Sequence, residues 1–229
     1  MQFEAFADAD AVARAAAGRI AATAREAVAA RGRFVIAVSG GHTPWQMLRD
    51  LVGEDLPWTK LHFVQVDERV APSGDPDRNL THLRESLGAQ SRLPAANIHP
   101  MPVEAQDLTQ ACLDYAGILQ SVAGRPPVLD LVHLGLGPDG HTASLVPGDA
   151  VLNISEADVA LTGVYQGRRR MTLTYPILNR ARQILWVVTG AEKQAALKRL
   201  RSGDPSIPGG RINTGRASIL ADRAAGGSA

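Results

Sequence analysis

An aspartate and a histidine lie two positions apart in the glycine-rich segment LGLGPDGHTASLVPG, residues 134–148. Imidazole accepts and donates a proton near neutral pH, so His141 is the strongest single candidate in the chain for general acid–base catalysis. A histidine with a purely structural role more often lies on an apolar face than directly after a glycine turn. Asp139 could orient the His141 ring or bind a substrate hydroxyl, and the sequence leaves both roles open.

The glycines of this segment also have the G-x-G-x-x-G spacing of dinucleotide-binding loops, at Gly135, Gly137 and Gly140. Such a loop needs a full helix behind it, with its N-terminus directed at the pyrophosphate. Here the chain reaches Pro147 within about two helical turns of the loop, and Asp139 adds a negative charge where an anion would bind. The spacing therefore does not predict a nucleotide cofactor.

The elements that must position these residues alternate between strand and helix along the chain. Apolar runs such as RFVIAV, LHFVQV, VLDLVHL and QILWVV predict buried strands. Predicted helices lie between them, including an alanine-rich helix that ends at Gly32 and a second helix with Thr43 as its N-cap and Pro44 at its first position. This alternation predicts an α/β fold with a mainly parallel, Rossmann-like sheet and helices on both faces.

The composition and the sequence pattern limit the number of domains and the kinds of partner that we expect. With no internal repeat or linker, residues 1–229 are predicted to form a single domain, with a disordered tail over about 224–229. Lys plus Arg total 24 against 23 for Asp plus Glu, so no net field favours nucleic acid or an anionic membrane. The single cysteine, Cys112, excludes an internal disulfide and a cysteine zinc cluster. Without a long apolar run or a signal-peptide pattern, a cytoplasmic location is predicted.

Four predicted strands end in polar or glycine-rich clusters, and ligands of such sheets bind beyond the carboxyl ends of the strands. The clusters are SGGHTP at 39–44, DER at 67–69, GPDGH at 137–141 and TGAEK at 189–193. No metal-ligand spacing occurs among the histidines and no G-x-S-x-G is present, so neither a metal centre nor a serine nucleophile is predicted.

The first and last of these clusters have features of an anion site. Gly40 and Gly41 precede a predicted helix start, where backbone N–H groups and the helix dipole attract phosphate. The alternative is a plain strand-to-helix turn that needs glycine for its backbone angles. Lys193 lies in the first turn of another predicted helix, which is unfavourable for a cation unless an anion is bound beside it. An exposed surface lysine is the alternative for this position.

Arginines and a carboxylate complete the set of candidate binding residues. Arg69 could grip an oxyanion with two hydrogen bonds, and a carboxylate such as Asp67 could bind sugar hydroxyls. In the run GRRRM, strand alternation predicts Arg168 and Arg170 on one face and Arg169 on the other. A solvated ion pair or surface patch is the alternative in both places.

Five segments together resemble the 6-phosphogluconolactonases of the glucosamine-6-phosphate isomerase/6-phosphogluconolactonase family. They are SGGHTPWQML, VDERVAPSGDPDRN, LGLGPDGHTASLVPG, RRMTLTYPILNRA and VTGAEKQAAL, over about residues 39–197. The third is similar to the specific family motif GxGxDGHTASLFPG, with Val146 in place of its usual Phe. Deaminases of the same family have motifs similar to DEY and GHIAFNEP, whereas this chain has Arg69 after Asp67-Glu68 and HTASLVPG after Gly140. The resemblance therefore favours a lactonase.

The resemblance implies hydrolysis of 6-phospho-D-glucono-1,5-lactone to 6-phosphogluconate in the pentose phosphate pathway, without a metal or organic cofactor. His141 would take a proton from the attacking water and return it to the ring oxygen, beside Asp139. The residues that it implies for substrate binding are Gly40, Gly41, Thr43, Asp67, Arg69, Arg170 and Lys193. The expected partner is this small-molecule substrate, bound to a monomer or weak homo-oligomer.

The chain departs from the family pattern at His42, where Ser is usual, and at Arg78, in the middle of a usual DSN. The segment ASIL near the C-terminus also lacks a common Trp. Two other functions remain open: a sugar-phosphate isomerase or deaminase, and a non-catalytic sugar-phosphate sensor. Retention of Asp139 and His141 argues against the sensor.

Overall fold

The computed structural model describes residues 1–226. The strands in this range are β1 (Gln2–Phe6), β2 (Phe34–Val38), β3 (Leu61–Gln65), β4 (Asp67–Arg69), β5 (Ile98–His99), β6 (Leu131–Leu134), β7 (Val159–Leu161), β8 (Arg170–Leu173), β9 (Ile184–Val188) and β10 (Ala217–Asp222). The helices are α1 (Ala9–Arg31), α2 (His42–Val52), α3 (Asn79–Leu87), α4 (Leu108–Ala123), α5 (Tyr175–Arg180), α6 (Gln194–Arg201) and α7 (Arg223–Gly226).

The central sheet has the order β1-β10-β9-β6-β2-β3-β5, and all its pairings are parallel. The predicted α/β fold with a mainly parallel sheet is confirmed. The chain moves from β2 outward to β3 on one side and from β6 outward to β9 on the other. The direction of winding therefore reverses between β2 and β6, and a crevice for ligand opens at such a point.

Strand β2 explains why the sheet is covered on both faces. All five of its residues are buried, and they alternate between two apolar clusters. Phe34 and Ile36 pack in one cluster with Ile20 of α1 and Leu48 of α2. Val35 and Ala37 pack in the other cluster, which contains residues of α4 and α6. Side chains alternate along a strand, so a continuous apolar run requires helices on both sides.

A smaller antiparallel sheet, β4-β8-β7, accompanies the central one. The segments DVALTGVY and RRMTLTY predict strands near β7 and β8, but the sequence did not predict that they form a separate sheet with the residues of DER. In this sheet Asp67 pairs with Thr172 and Arg69 pairs with Arg170. The small sheet thus brings two distant polar segments to the end of β3.

Several local predictions are confirmed and others need correction. Helix α1 ends at Gly32, whose φ of 75° suits a glycine C-cap. Helix α2 begins at His42 with Gly41 as N-cap, so Thr43 is not the N-cap as predicted. Strand β1 was not predicted, because its sequence QFEAF is short, and its pairing with β10 depends on the far end of the chain.

Helix α7 is the last element of the described chain. The tail predicted to be disordered includes 224–226, which the structure instead places in α7, with Ala225 buried. Residues 227–229 lie outside the described residues. Within 1–226, no helix is both long and apolar enough to cross a membrane.

Candidate active site

The four polar clusters meet at one edge of the central sheet. They follow β9, β6, β2 and β3, which are neighbours in that order, so parallel topology brings their carboxyl ends together. A cavity of about 220 Å³ opens there. It is lined by Ser39, Gly40, Gly41, Asp67, Arg69, Asn79, Gly135, Leu136, Gly137, His141, Ala143, Arg170 and Lys193.

Asp139 and His141 form a hydrogen-bonded pair at the edge of this cavity. His141 Nδ1 lies 2.6 Å from Asp139 Oδ1, and the His141 backbone N–H donates to the same oxygen at 3.1 Å. A carboxylate oxygen accepts, so the pair fixes the proton on Nδ1 and leaves Nε2 as the basic nitrogen. Partial burial raises the pKa of Asp139, but the hydrogen bonds and charge of His141 outweigh it and lower that pKa. Asp139 is thereby kept ionised as an acceptor.

Gly137 is required by the close packing of this pair. A Cβ at Gly137 would overlap the His141 ring and the Asp139 carboxylate. The Gly137 N–H donates to the His141 carbonyl at 2.8 Å, and the Gly140 N–H donates to the Gly137 carbonyl at 2.9 Å. Gly137 and Gly140 thus close a tight loop around Asp139 and His141, which accounts for two of the three glycines of this spacing without a dinucleotide.

Two arginines and a lysine give the cavity its positive charge. Arg69 and Arg170 are directly opposed in the pairing of β4 with β8, and both line the cavity. Lys193, in the turn before α6, lines it from the other side of the crevice. Of the arginine run, Arg168 does not accompany Arg170 into the cavity, because β8 begins only at Arg170. Three cations around one small cavity favour a multiply charged anion.

The Arg170 side chain is almost completely buried, but only some of its N–H groups have hydrogen-bond partners. Its Nη2 donates to Gln166 Oε1 at 3.1 Å, and its Nη1 is 3.9 Å from Asp67 Oδ2. Its Nε is buried and has no hydrogen-bond partner among the residues described by the structure. Burial lowers the pKa of Arg170, the Asp67 carboxylate opposes that shift, and the like charge of Arg69 adds to it. Buried donors without partners are costly, so this guanidinium is prepared to bind an oxyanion.

Asp67 is buried at the start of β4, close to Arg170. Its Oδ2 accepts a hydrogen bond from Ser144 Oγ at 2.5 Å, and its Oδ1 accepts one from Asn79 Nδ2 at 3.2 Å. Asn79 also accepts from Arg69 Nη1 at 3.0 Å. Asp67 therefore links three segments around the cavity and borders its interior.

Arg78, one of the departures from the family pattern, has a structural contact. Its Nε is 3.2 Å from Glu68 Oε2, and its Nη1 is 2.6 Å from Glu104 Oε1. Glu68 is fully buried and accepts from the backbone N–H groups of Arg69 and Asn79, each at 2.8 Å. Arg78 thus supplies a countercharge to the carboxylate that holds two cavity-lining residues in place.

The glycine turn after β2 forms part of the cavity wall. Gly40 and Gly41, which are predicted to bind substrate, line the cavity, and a Cβ at Gly40 would overlap the Asn79 side chain. Thr43 is buried behind this wall and does not line the cavity; its hydroxyl is 2.8 Å from that of Thr189. This hydrogen bond joins the first turn of α2 to the turn after β9, and the predicted contact of Thr43 with substrate stays a prediction.

His133 holds the start of the same turn through two hydrogen bonds with Ser39. The Ser39 backbone N–H donates to His133 Nδ1 at 3.2 Å, and the Ser39 hydroxyl donates to the His133 carbonyl at 3.1 Å. His133 is fully buried, and burial lowers its pKa to about 3. It stays neutral and structural, in agreement with its predicted place in a strand.

Some cavity residues were not predicted from the sequence. Asn79 and Ala143 line the cavity, and the only sequence signal for Asn79 is a polar residue at the start of a helix beside the acidic loop. Among residues 1–226, no group of three or more metal-ligating side chains is found.

This chain is similar in sequence to one family of known proteins. The family model described as Glucosamine-6-phosphate isomerases/6-phosphogluconolactonase matches residues 7–221. A 6-phosphogluconolactonase from Synechocystis sp. is 42% identical over 176 residues, which cover 75% of this chain and 73% of that protein.

Solved structures with the same fold include proteins of both activities. The 6-phosphogluconolactonase from Thermotoga maritima has a TM-score of 0.85 at 23% identity, covering 96% of this chain and 98% of its own. A monomeric glucosamine-6-phosphate deaminase also has a TM-score of 0.85, at 19% identity and 98% coverage of both chains. The fold is therefore shared across activities, and the site must distinguish them.

Proposed function

The chain belongs to the glucosamine-6-phosphate isomerase/6-phosphogluconolactonase family, and we propose that it hydrolyses 6-phospho-D-glucono-1,5-lactone to 6-phospho-D-gluconate. The observation that carries this proposal is the Asp139–His141 hydrogen bond of 2.6 Å at the edge of a cavity bordered by Arg69, Arg170 and Lys193. It combines a proton-transfer group with an anion site. The curated relative from Synechocystis sp. supports the choice of substrate.

His141 is the proposed general base and then general acid. Its Nε2 takes a proton from water as the water oxygen attacks C1 of the lactone, and a tetrahedral oxyanion forms. The C1–ring oxygen bond then breaks, and the same nitrogen returns the proton to the departing ring oxygen. Asp139 accepts from Nδ1–H, which orients the ring and stabilises the imidazolium formed between these steps.

The phosphate group is the proposed ligand of the cations. Arg170, Arg69 and Lys193 supply charged donors, while Gly40 and Gly41 lie just before the first turn of α2, where backbone N–H groups lack helical partners. The N–H groups of Gly137 and Gly140 donate within their own loop, so the oxyanion at C1 requires other donors. Asp67 is suited to accept from sugar hydroxyls.

A direct assay tests this function. Purified protein is added to freshly generated 6-phosphogluconolactone, acid production is followed, and the spontaneous hydrolysis rate is subtracted. We expect saturable hydrolysis well above that background. A rate equal to the background at high protein concentration would exclude the lactonase function.

We further propose that one chain is sufficient for this activity. The acid–base pair and the three cations that the proposed reaction requires are all present in this chain, so the proposal needs no residue from a second copy and fits a monomer or a weak homo-oligomer. Specific activity should therefore stay constant on dilution through any dissociation seen by light scattering. A loss of specific activity that follows dissociation would contradict this.

A further inference from the structure

A tight hairpin turn lies beside the cavity, between β7 and β8. The Tyr165 N–H donates to the Arg168 carbonyl at 2.9 Å, and the Arg168 N–H donates back at 3.3 Å. The two residues between them, Gln166 and Gly167, have φ values of 51° and 79°. Such angles are typical of a two-residue hairpin turn. The turn therefore fixes the direction in which the Tyr165 side chain leaves the backbone.

Ion pairs hold this hairpin against the neighbouring loop. Arg168 donates from Nε to Asp77 at 2.9 Å and from Nη2 to Asp75 at 3.1 Å. The Asp77 carbonyl in turn accepts from Arg69 Nη1 at 2.5 Å. The hairpin is thus fixed relative to one of the two opposed arginines.

Tyr165 contacts both the acid–base residue and the second of these arginines. The Arg170 Cζ lies 5.0 Å from the centroid of the Tyr165 ring. The centroids of the Tyr165 and His141 rings are 5.5 Å apart, with planes at 65°. No other contact given by the structure joins a single side chain to His141 and Arg170 in the described chain. Neither the sequence pattern nor the cavity lining identified Tyr165.

An aromatic ring restrains a guanidinium without occupying its hydrogen-bond donors. A carboxylate partner would take up two N–H groups of Arg170, whereas a cation–π contact acts through the face of the group. Arg170 accordingly keeps a buried Nε without a partner among the described residues. Its orientation is held while its Nε and Nη1 donors, which have no hydrogen bond among the described residues, remain free for an oxyanion.

The Tyr165 ring also restrains His141 without occupying one of its ring nitrogens. Its Nδ1 is bound to Asp139, which leaves the ring free to tilt about that hydrogen bond. The edge-to-face contact with Tyr165 limits this tilt through the ring quadrupole rather than through a nitrogen. The Nε2 atom therefore keeps a defined direction without losing its acceptor function.

We propose that Tyr165 is a positioning residue that orients Arg170 for the substrate's phosphate and His141 for proton transfer. This inference rests on the proposed lactonase function. It assigns the effect to the aromatic ring, and the phenolic hydroxyl takes no part in proton transfer.

Three variants test the proposal. Tyr165→Leu removes the ring, Tyr165→Phe keeps it without the hydroxyl, and Val164→Ala is a control on the same turn, because Val164 is 71% exposed. Each is assayed with 6-phosphogluconolactone and with unphosphorylated gluconolactone, and each melting temperature is recorded. If Tyr165→Leu does not melt cooperatively, Tyr165→Met takes its place.

For Tyr165→Leu we expect KM for the phosphorylated lactone to rise about two- to fivefold, as for loss of one cation–π contact, with KM for gluconolactone unchanged. We expect kcat to fall about two- to tenfold on both substrates, because His141 loses its ring contact. Tyr165→Phe and Val164→Ala should match the wild type.

Unchanged kinetics in Tyr165→Leu, equal KM losses on both lactones, or a Phe variant as impaired as the Leu variant would each overturn the proposal. The variants are also titrated with inorganic phosphate by calorimetry, where only Tyr165→Leu should bind more weakly. That measurement needs no turnover. An inactive wild type would contradict the lactonase function, while the phosphate titration would still decide the role of Tyr165 at the anion site.

Discussion

Arg69 and Arg170 are directly opposed across the antiparallel pairing of β4 and β8, and both border the same cavity. Like charges in opposed positions destabilise a strand pair. The nearby Asp67 carboxylate, 3.9 Å from Arg170, offsets the repulsion that Arg69 exerts on Arg170. Two arginines and Lys193 still line the cavity with this one carboxylate. A bound anion would add the missing negative charge, so the arrangement couples anion binding to the stability of the fold.

Inorganic phosphate should therefore raise the melting temperature. A ligand that binds only the folded state adds about 2.7 kcal/mol to the free energy of unfolding at a hundred times its Kd. Arg170→Gln should reduce this phosphate-induced shift, while Arg169→Gln, at the exposed neighbouring position, should retain it. Differential scanning fluorimetry against chloride at matched ionic strength measures the effect. An equal shift in all three proteins would show that Arg170 does not bind the anion.

Lys193→Gln should raise KM for 6-phosphogluconolactone by about tenfold, since a hydrogen bond to a charged group contributes about 1.5 to 3 kcal/mol. The KM for unphosphorylated gluconolactone should hardly change. Lys198→Gln is the matched control, because Lys198 is exposed on the following helix and outside the cavity. If Lys193→Gln impairs both substrates alike, Lys193 does not bind the phosphate.

His141→Ala should lower kcat at least about a hundredfold, in line with general acid–base catalysis, with substrate affinity within a few fold. Asp139→Asn should lower kcat less, because the ring keeps its place but loses its fixed proton position. His82→Ala is a control that removes a histidine outside the cavity. Steady-state kinetics with the background rate subtracted provides the measurement. A near-normal kcat in His141→Ala would remove this residue from the mechanism.

The choice of reaction can be tested with other substrates and a chelator. A deaminase must move protons on carbon, work that the resemblance assigns to acidic residues of its DEY and NEP loops, and this chain has Ser144–Pro147 in place of the latter. Glucosamine 6-phosphate should therefore release no ammonia. Lactone hydrolysis should persist in excess EDTA. Ammonia release at a useful rate, or activity lost to EDTA and restored by a metal, would contradict the proposed reaction.

Acid should destabilise the protein through His133. Burial lowers the pKa of this histidine from 6.5 to about 3 in the folded state, so the unfolded chain binds a proton that the folded one does not. Stability conferred by the neutral ring is complete above pH 6.5 and decreases as pH falls from 6.5 towards 3, by up to about 1.4 kcal/mol per pH unit.

His133→Gln should flatten this decline, whatever its effect on stability at pH 8. Glutamine is neutral throughout and can still accept from the Ser39 N–H. Urea unfolding at several pH values gives the slope, and His82→Gln is the control for loss of a histidine at a partly exposed site. An unchanged slope in His133→Gln would show that another group causes the acid sensitivity.

Much of the fold was predictable because its signals are local. Continuous apolar runs identified β2, β3, β6 and β9, and alternation with helices identified a parallel sheet. Strand β1 was not predictable, because a five-residue segment pairs with β10 from the opposite end of the chain. The small sheet of β4, β8 and β7 was missed for the same reason, since strand pairing depends on distant partners.

The residues of the candidate site also fall into two groups, those placed by the local sequence and those placed by the tertiary structure. Asp139, Gly137 and His141 are close in sequence, so one tight turn brings them together, and the sequence by itself determined this pair. Tertiary structure decided which other side chains face it: Arg170 rather than Arg168, Asn79 in addition to Asp67, and Tyr165 from a hairpin. It also placed the Thr43 hydroxyl beside that of Thr189. The physical reason is that a side chain's direction depends on where its strand begins and what it pairs with, and long-range packing fixes both.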